Sequence, residues 1–300
     1  MNVAMVCFPG LGGSGIVGTE LGLLLARAGH QVHYVCAERP RRLPEGWPNT
    51  TFHPVIAPAH PLAAGGYPLV LATALAEVVR QESIDVIHAH YAVPHAVSGW
   101  MARELVGGGV RLVTTLHGTD VTELAVDGAL RGLLRHVVAA SDAVSTPSAF
   151  LRDAALAALG LERPIEVIPN FVDPVVFERS HHGDALRKDL GGGRKVLMHI
   201  SNFRPVKRVR DVVRVFAKVR ERVPSVLVMV GDGPERGAAE EEARSLGVSA
   251  DVRFLGKIDV VAPLLASADL YVFPSESESF GLSALEALAS GVPVIGARVG

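Results

Sequence analysis

Two glutamates eight residues apart, Glu278 and Glu286, bracket a stretch whose signals predict a helix. Ser279 stands as the N-cap, Phe280, Leu282, Leu285 and Leu288 supply a helical apolar period, and Gly291 and Pro293 stop it. The backbone N–H groups of Phe280, Gly281 and Leu282 then lack intrahelical acceptors, and the small Gly281 lets a ligand approach them closely. That is a phosphate-binding geometry. If both carboxylates are helical, eight residues at ~1.5 Å rise put them about 12 Å apart, beyond the roughly 5 to 9.5 Å of a glycosidase pair. The two are expected to be separate ligand contacts. The plain alternative is an amphipathic helix with one glutamate near its cap and one on its surface.

Five other stretches carry chemistry. Gly10-Leu11-Gly12-Gly13-Ser14-Gly15 matches G-x-G-x-x-G after a strand, and Glu38 lies near the end of the next strand, where a ribose-binding acid would sit. An NAD-dependent oxidoreductase therefore competes with a loop that simply lets a helix N-terminus approach phosphates or a carboxylate. Against the oxidoreductase, none of Tyr34, Tyr67, Tyr91 or Tyr271 is followed four residues later by Lys. His117 closes the strand carrying Thr114 and Thr115, and His88, His90, Tyr91 and His95 cluster at another strand end. The spacing of His88 and His90 puts them on one strand face, which a metal site could use, but without a second ligand cluster the histidines are expected to line a cleft with no metal. In Ser201-Asn202-Phe203-Arg204-Pro205-Val206-Lys207-Arg208, proline suits an early helix position over 206–222, and Arg204 and Lys207 offer two cations to a polyanion. Gly231-Asp232-Gly233 ends a further strand as a flexible turn. The chain has neither G-x-x-x-x-G-K-[ST] nor D-x-D, so side-chain cations must do the work of a phosphate-bound metal.

The elements that must position these groups alternate. Strands are expected near 3–8, 31–36, 51–56, 85–88, 111–116, 143–145 and 165–168, with helices near 16–28, 68–81, 93–105, 128–139 and 147–159. A second alternating set runs from 195 to 296 and includes the helix 280–290. The fold class is α/β, two doubly wound Rossmann-like domains facing across a cleft. The expected division is a first domain over 1–168, an interdomain connection over 169–193 rich in Pro, Gly and His, and a second domain over 194–300. Of the 300 residues 49% are hydrophobic, which suits two large cores. With 29 Lys and Arg against 31 Asp and Glu, the chain has no global field for nucleic acid or an anionic membrane. Cys7 and Cys36 lie in apolar strands and are expected as buried thiols of a reducing compartment. No basic leader or run of ~18 apolar residues stands out, so a cytoplasmic location is expected.

Together these residues resemble the retaining glycosyltransferases of the GT-B fold, family four. Glu278 and Glu286 reproduce its E-x7-E motif, with His117, Lys207 and the 231–233 turn in the expected order. G-G-S-G-I-V-G-T-E-L at 12–21, H-A-H-Y-A-V-P-H-A at 88–96, T-T-L-H-G-T-D at 114–120 and H-I-S-N-F-R-P-V-K-R-V at 199–209 are similar to the branch that transfers N-acetylglucosamine from UDP-N-acetylglucosamine to L-malate. The resemblance implies a donor site of Asn202, Arg204, Lys207, Gly231, Asp232, Gly233, Glu278, Ser279, Phe280, Gly281, Leu282 and Glu286. Within it Glu286 would hold the ribose, the cations and the 280–282 amides the diphosphate, and Glu278 the sugar. Gly13 and Gly15 would close on the phosphates, and Ser14, Tyr91, Thr115 and His117 would hold the acceptor. His117, Lys207 and Glu278 would act in catalysis, without metal or cofactor. Retention without an evident nucleophile suggests front-face attack, with the departing UDP oxygen taking the acceptor proton. An inositol phosphate acceptor and a non-catalytic sugar-nucleotide binder are the neighbouring alternatives, and the resemblance leaves room for a homodimer. Family members continue beyond the last strand, so the second domain is expected to be incomplete at its C-terminal end.

Overall fold

The computed structural model describes residues 1–10, 12–56, 66–126, 128–178 and 182–299. Leu11 of the glycine loop, His181 of the expected connection, the side chain of His182 and Gly300 lie outside the described residues. The chain divides into two compact units, Met1–Asn170 and Phe171–Gly300.

In the first unit the order is β1 (Asn2–Val6), α1 (Gly13–Arg27), β2 (Gln31–Cys36), β3 (Thr50–Pro54), α2 (Tyr67–Gln81), β4 (Val86–His90), α3 (Val97–Leu105), β5 (Arg111–Thr115), α4 (Thr119–Thr122), α5 (Gly128–Ala140), β6 (Ala143–Thr146), α6 (Ala149–Leu159) and β7 (Glu166–Val167). All seven strands are parallel, in the order β3-β2-β1-β4-β5-β6-β7. Parallel strands need crossovers that cover both sheet faces, which is why β1 reads as a continuous apolar run and is buried from Val3 to Val6. Leu71 and Leu75 of α2 pack with Ile87 of β4 and Leu112 of β5 in the main core, each worth about 1.5 to 3 kcal/mol of burial. Helix α1 packs directly on the sheet through two of its glycines. A Cβ on Gly18 would come within 2.9 Å of the Cys7 side chain and 3.1 Å of His90, and one on Gly22 would strike the Tyr34 hydroxyl.

In the second unit the order is α7 (His182–Gly191), β8 (Lys195–Ile200), α8 (Val209–Arg220), β9 (Ser225–Val230), α9 (Arg236–Ser245), β10 (Val252–Gly256), α10 (Ala262–Ser267), β11 (Leu270–Phe273), α11 (Leu282–Ala289) and β12 (Val294–Gly296). Its five parallel strands run β10-β9-β8-β11-β12. Alternation along the strands divides the core. Val196, Met198, Val226 and Val228 serve one face, while Leu197, Leu227 and Met229 serve the other.

Three expectations need correction. The connection expected over 169–193 contains α7, which packs against α10: Gly183 is held so closely to Ala266 that a Cβ would sit 2.8 Å from its carbonyl oxygen. The polar, weakly periodic stretch hid a helix that uses glycine for close packing. The helix expected over 206–222 starts later, because Pro205–Lys207 form a 3-10 turn and Arg208 takes a left-handed conformation, φ 50°, before α8 begins. Ser279 is not the N-cap of the helix at 280–290. Gly281 is, at φ 84°, with no side-chain cap, so Glu286 stands one turn into α11.

Candidate active site

In the first unit the predicted residues gather at the carboxyl ends of β4 and β5, where ligands bind in such sheets. His90 pairs with Thr115 across the two strands, and the Tyr91 amide donates to the Thr115 carbonyl at 2.9 Å. Tyr91 turns out of the strand at φ 87°, and its ring meets those of His117, 5.2 Å between centroids, and Phe8. His88 and His90 stack at 4.6 Å, as their spacing predicts, and His90 stacks in turn on His117 at 5.1 Å. His90 Nδ1 and His117 Nε2 are hydrogen-bonded at 2.9 Å, the tautomers setting which one donates. The Thr115 hydroxyl is engaged by His88 Nε2 and by Ser145 Oγ, each at 2.8 Å, leaving one hydrogen-bonding position of its three.

The histidines are neutral near pH 7. Burial pushes His88 and His95 down to about 4, His117 to about 3 and His90 well below the usual imidazole range. His95 Nδ1 must be the donor in its 2.6 Å bond, because the His90 carbonyl can only accept. Its Nε2 is then a buried lone pair, and both it and His90 Nε2 have no partner among the described residues. The sequence reading missed Asp120, which is 1% exposed and binds the ends of both strands together. Its carboxylate accepts from the amides of His117, Gly118 and Ala92 at 3.0 to 3.3 Å. Burial nonetheless raises it to about 6. Its signal was present as the last letter of T-T-L-H-G-T-D.

The glycine loop separates two uses of glycine. A Cβ on Gly15 would strike the carbonyl oxygens of Phe8 and Gly10, so this position is required by the strand-to-helix turn itself. Gly10, Gly12 and Gly13 have nothing within 4 Å of such an atom, so no packing among the described residues demands them. Ser14, in the first turn of α1, is 7% exposed.

In the second unit two loops are joined. The Glu276 amide donates to the Val206 carbonyl at 2.8 Å, and beside that bond Lys207 Nζ lies 2.5 Å from Glu278 Oε1. Both side chains are largely buried, 21% and 12% exposed. Gly231 and Gly233 are not a loose turn as expected: a Cβ on either would strike the backbone carbonyl of Ser201 or Asn202. Gly231 also needs its φ of 121°, and Asp232 accepts from the Gly233 amide at 2.9 Å. His199, fully buried and missed as a functional candidate, organises the same loop. Its Nδ1 donates to the Val272 carbonyl at 2.8 Å. Burial pushes it down to about 4, so its neutral Nε2 accepts from Ser201 Oγ, which accepts in turn from the Phe203 amide. Phe203 is thereby held at φ 43°, Asn202 is exposed and Arg204 half-buried at the head of the 3-10 turn.

Glu286 is not on the surface. It is 4% exposed on α11 and lies close enough to Tyr271 that its charge helps raise the buried phenol. Gly281 seats the start of α11 on the Phe273 ring, with a Cβ position 3.2 Å from it, and Ser279, Phe280 and Leu282 flank that seat. The site residues thus form two sets, one in each unit. The first is neutral, aromatic and hydroxylic, and the second carries a cation paired with a largely buried carboxylate, a second, buried carboxylate and a helix start.

Both strand orders also suit dinucleotide binding, so topology alone does not separate a hydride-transfer enzyme from a sugar transferase. Comparison with known proteins does. Residues 11–176 match the family described as Glycosyltransferase Family 4, and residues 185–300 match Glycosyl transferases group 1. The chain is 43% identical to N-acetyl-alpha-D-glucosaminyl L-malate synthase of Bacillus anthracis over 100% of its own length and 79% of that protein's. It is 32% identical to D-inositol 3-phosphate glycosyltransferase of Actinosynnema mirum, over 96% of this chain and 76% of that one. Among solved structures, HepE of Anabaena in complex with UDP-glucose shares the fold with a TM-score of 0.82 at 21% identity, covering 100% of this chain and 81% of that one. The G-x-G-x-x-G loop thus sits in a GT-B fold, and the chain belongs to glycosyltransferase family 4.

Proposed function

We propose that this glycosyltransferase moves N-acetylglucosamine from UDP-N-acetylglucosamine to the hydroxyl of L-malate with retention at the anomeric carbon, the first step of bacillithiol biosynthesis. The observation that carries the proposal is the 43% identity along the whole chain to the malate synthase of Bacillus anthracis.

In this reading the second unit binds the donor. Glu286 takes the ribose hydroxyls, and its burial keeps the carboxylate from being satisfied by water instead. Arg204 and Lys207 meet the diphosphate together with amides at the start of α11. An ammonium has three donors, so Lys207 can hold Glu278 and still offer two N–H groups to phosphate oxygens. Glu278, oriented by Lys207, accepts from sugar hydroxyls. Asn202, Asp232 and Ser279 border the donor, and Gly231 and Gly233 keep the 201–204 loop in place. With these cations supplied by the protein, the transfer needs no added metal.

The first unit binds the acceptor at Ser14, Tyr91, Thr115 and His117, and Gly13 and Gly15 of the glycine loop close on the donor phosphates, Gly13 with open space around its α-carbon among the described residues. The attacking hydroxyl gives its proton to the departing UDP oxygen. A neutral His117 suits that step, because it offers a dipole to the sugar without a positive charge that would repel the developing oxocarbenium ion.

The test is release of UDP from UDP-N-acetylglucosamine with L-malate as acceptor in chelator-treated buffer. Turnover that depends on malate supports the assignment. Turnover only with inositol 3-phosphate rejects the acceptor, UDP binding without transfer to either rejects the enzyme activity, and a strict requirement for added divalent ions rejects the metal-free mechanism.

A further inference from the structure

One cluster belongs to neither the donor nor the acceptor set. His33 of β2 and His53 of β3 project from adjacent parallel strands, with His33 paired to Thr51 and His53 to Val35, so the two imidazoles lie diagonally on one sheet face. His33 Nδ1 and His53 Nε2 are 3.0 Å apart, and the rings stack at 5.2 Å with 28° between their planes. Glu82, at the C-cap of α2, brings a carboxylate to the same place, and all three ligand atoms lie within 4.8 Å of one another. His33 is buried, while His53 and Glu82 are half-buried. Among the described residues no other group of three or more His, Cys, Asp or Glu brings its ligand atoms this close.

We propose that His33, His53 and Glu82 form a binding site for a divalent zinc-class ion that ties the edge strand β3 to β2 and to the end of α2, apart from the sugar-transfer chemistry. Two imidazoles and one carboxylate are a common three-residue zinc donor set, leaving one position for water. At Zn–N distances of about 2.0 to 2.1 Å a tetrahedral ion holds two nitrogens about 3.3 Å apart. The observed pair needs to open by only a few tenths of an ångström. The backbone around Glu82 is anchored, its carbonyl accepting from Asn2 Nδ2 at 2.8 Å, so the freedom to close on the ion lies in the glutamate side chain. Desolvation keeps both histidines below the usual imidazole range, so their lone pairs are available near pH 7. Strand β3 is the edge of the seven-stranded sheet, with a neighbour on one side only, and gains most from a cross-link.

The experiment titrates the chelator-treated full chain with Co2+, read by visible absorption, and displaces it with Zn2+, beside His33→Gln, His53→Gln and Glu82→Gln. The expected result is one ion per chain in the parent, with affinity lowered at least about 100-fold in each histidine variant, the upper range of losses known even for outer-shell partners. Thermal unfolding with and without Zn2+ should show a rise in Tm for the parent and none for His53→Gln. Glu82→Gln, at a half-exposed helix end, tests the site without burdening the fold. Binding that is undiminished in all three variants, or no saturable binding at millimolar metal, overturns the proposal. Malate-dependent UDP release in the chelator-treated variants should match the parent, so failure of this site and failure of the transferase assignment are distinguishable.

Discussion

Lys207 Nζ and Glu278 Oε1 lie 2.5 Å apart, joined across 71 residues by two loops that the Glu276 amide and the Val206 carbonyl fasten together. The cation expected on phosphate and the carboxylate expected on sugar are one preorganised pair. Removing either leaves a largely buried charge without its counterion, so the two substitutions should be strongly non-additive. Lys207→Ala and Glu278→Ala are each expected to lower turnover by about 100-fold or more. In urea unfolding, the double variant should be more stable than the sum of the single losses by about 1 to 2 kcal/mol. Additive unfolding energies would show that the pair is not formed in solution.

The burial of Glu286 makes it a sharper probe of the donor site than a surface acid would be. Glu286→Gln keeps the volume and removes the charge, so the fold should survive. UDP affinity by calorimetry should drop about 10- to 100-fold, the equivalent of one charged hydrogen bond of roughly 1.5 to 3 kcal/mol. Unchanged affinity would remove Glu286 from the ribose site.

The glycines of the first loop should separate stability from activity. Gly15→Ala forces a methyl group into the Phe8 and Gly10 carbonyls and is expected to cost roughly 1 to 3 kcal/mol or more. Gly13→Ala meets nothing in the described chain and should leave Tm within a few degrees while raising KM for the sugar nucleotide. Equal Tm losses in the two variants would contradict the distinction.

Acid should weaken the fold before it protonates ordinary carboxylates. His88, His95, His117 and His199 have depressed folded-state values, so their contribution is complete above about 6.5 and is lost as pH falls toward 4. Between pH 7 and 5 each loses on the order of 2 kcal/mol. Asp120 acts the other way. Its raised value makes the fold favour the protonated acid, which returns about 1.4 kcal/mol over the same interval. The net expectation is a fall of several kcal/mol in unfolding free energy from pH 7 to pH 5, measured by urea titration. A flat profile would mean that the imidazoles are hydrated.

The alternating elements, the apolar strands and the presence of a glycine loop and of a later E-x7-E were legible in the chain, because burial on both faces, helix periodicity and residue spacing leave local signatures. Residues 31–36 were placed to the residue, and His88 and His90 were assigned to one face by spacing alone. What the local pattern could not contain was partnership over distance. It offered Ser279 as a cap because serine is the better capping side chain, whereas packing on Phe273 and a left-handed turn selected Gly281. It took 231–233 as a free turn, since the Ser201 and Asn202 carbonyls that exclude any side chain there are 30 residues away in sequence. It allowed Glu286 a place on the surface, passed over Asp120 and His199, and gave no hint that Lys207 would meet Glu278. Residue type and spacing therefore determined which groups are available and on which elements they ride. Only the tertiary structure decided which are buried, neutral or paired, because desolvation and contact across parallel strands depend on neighbours that the local sequence does not specify.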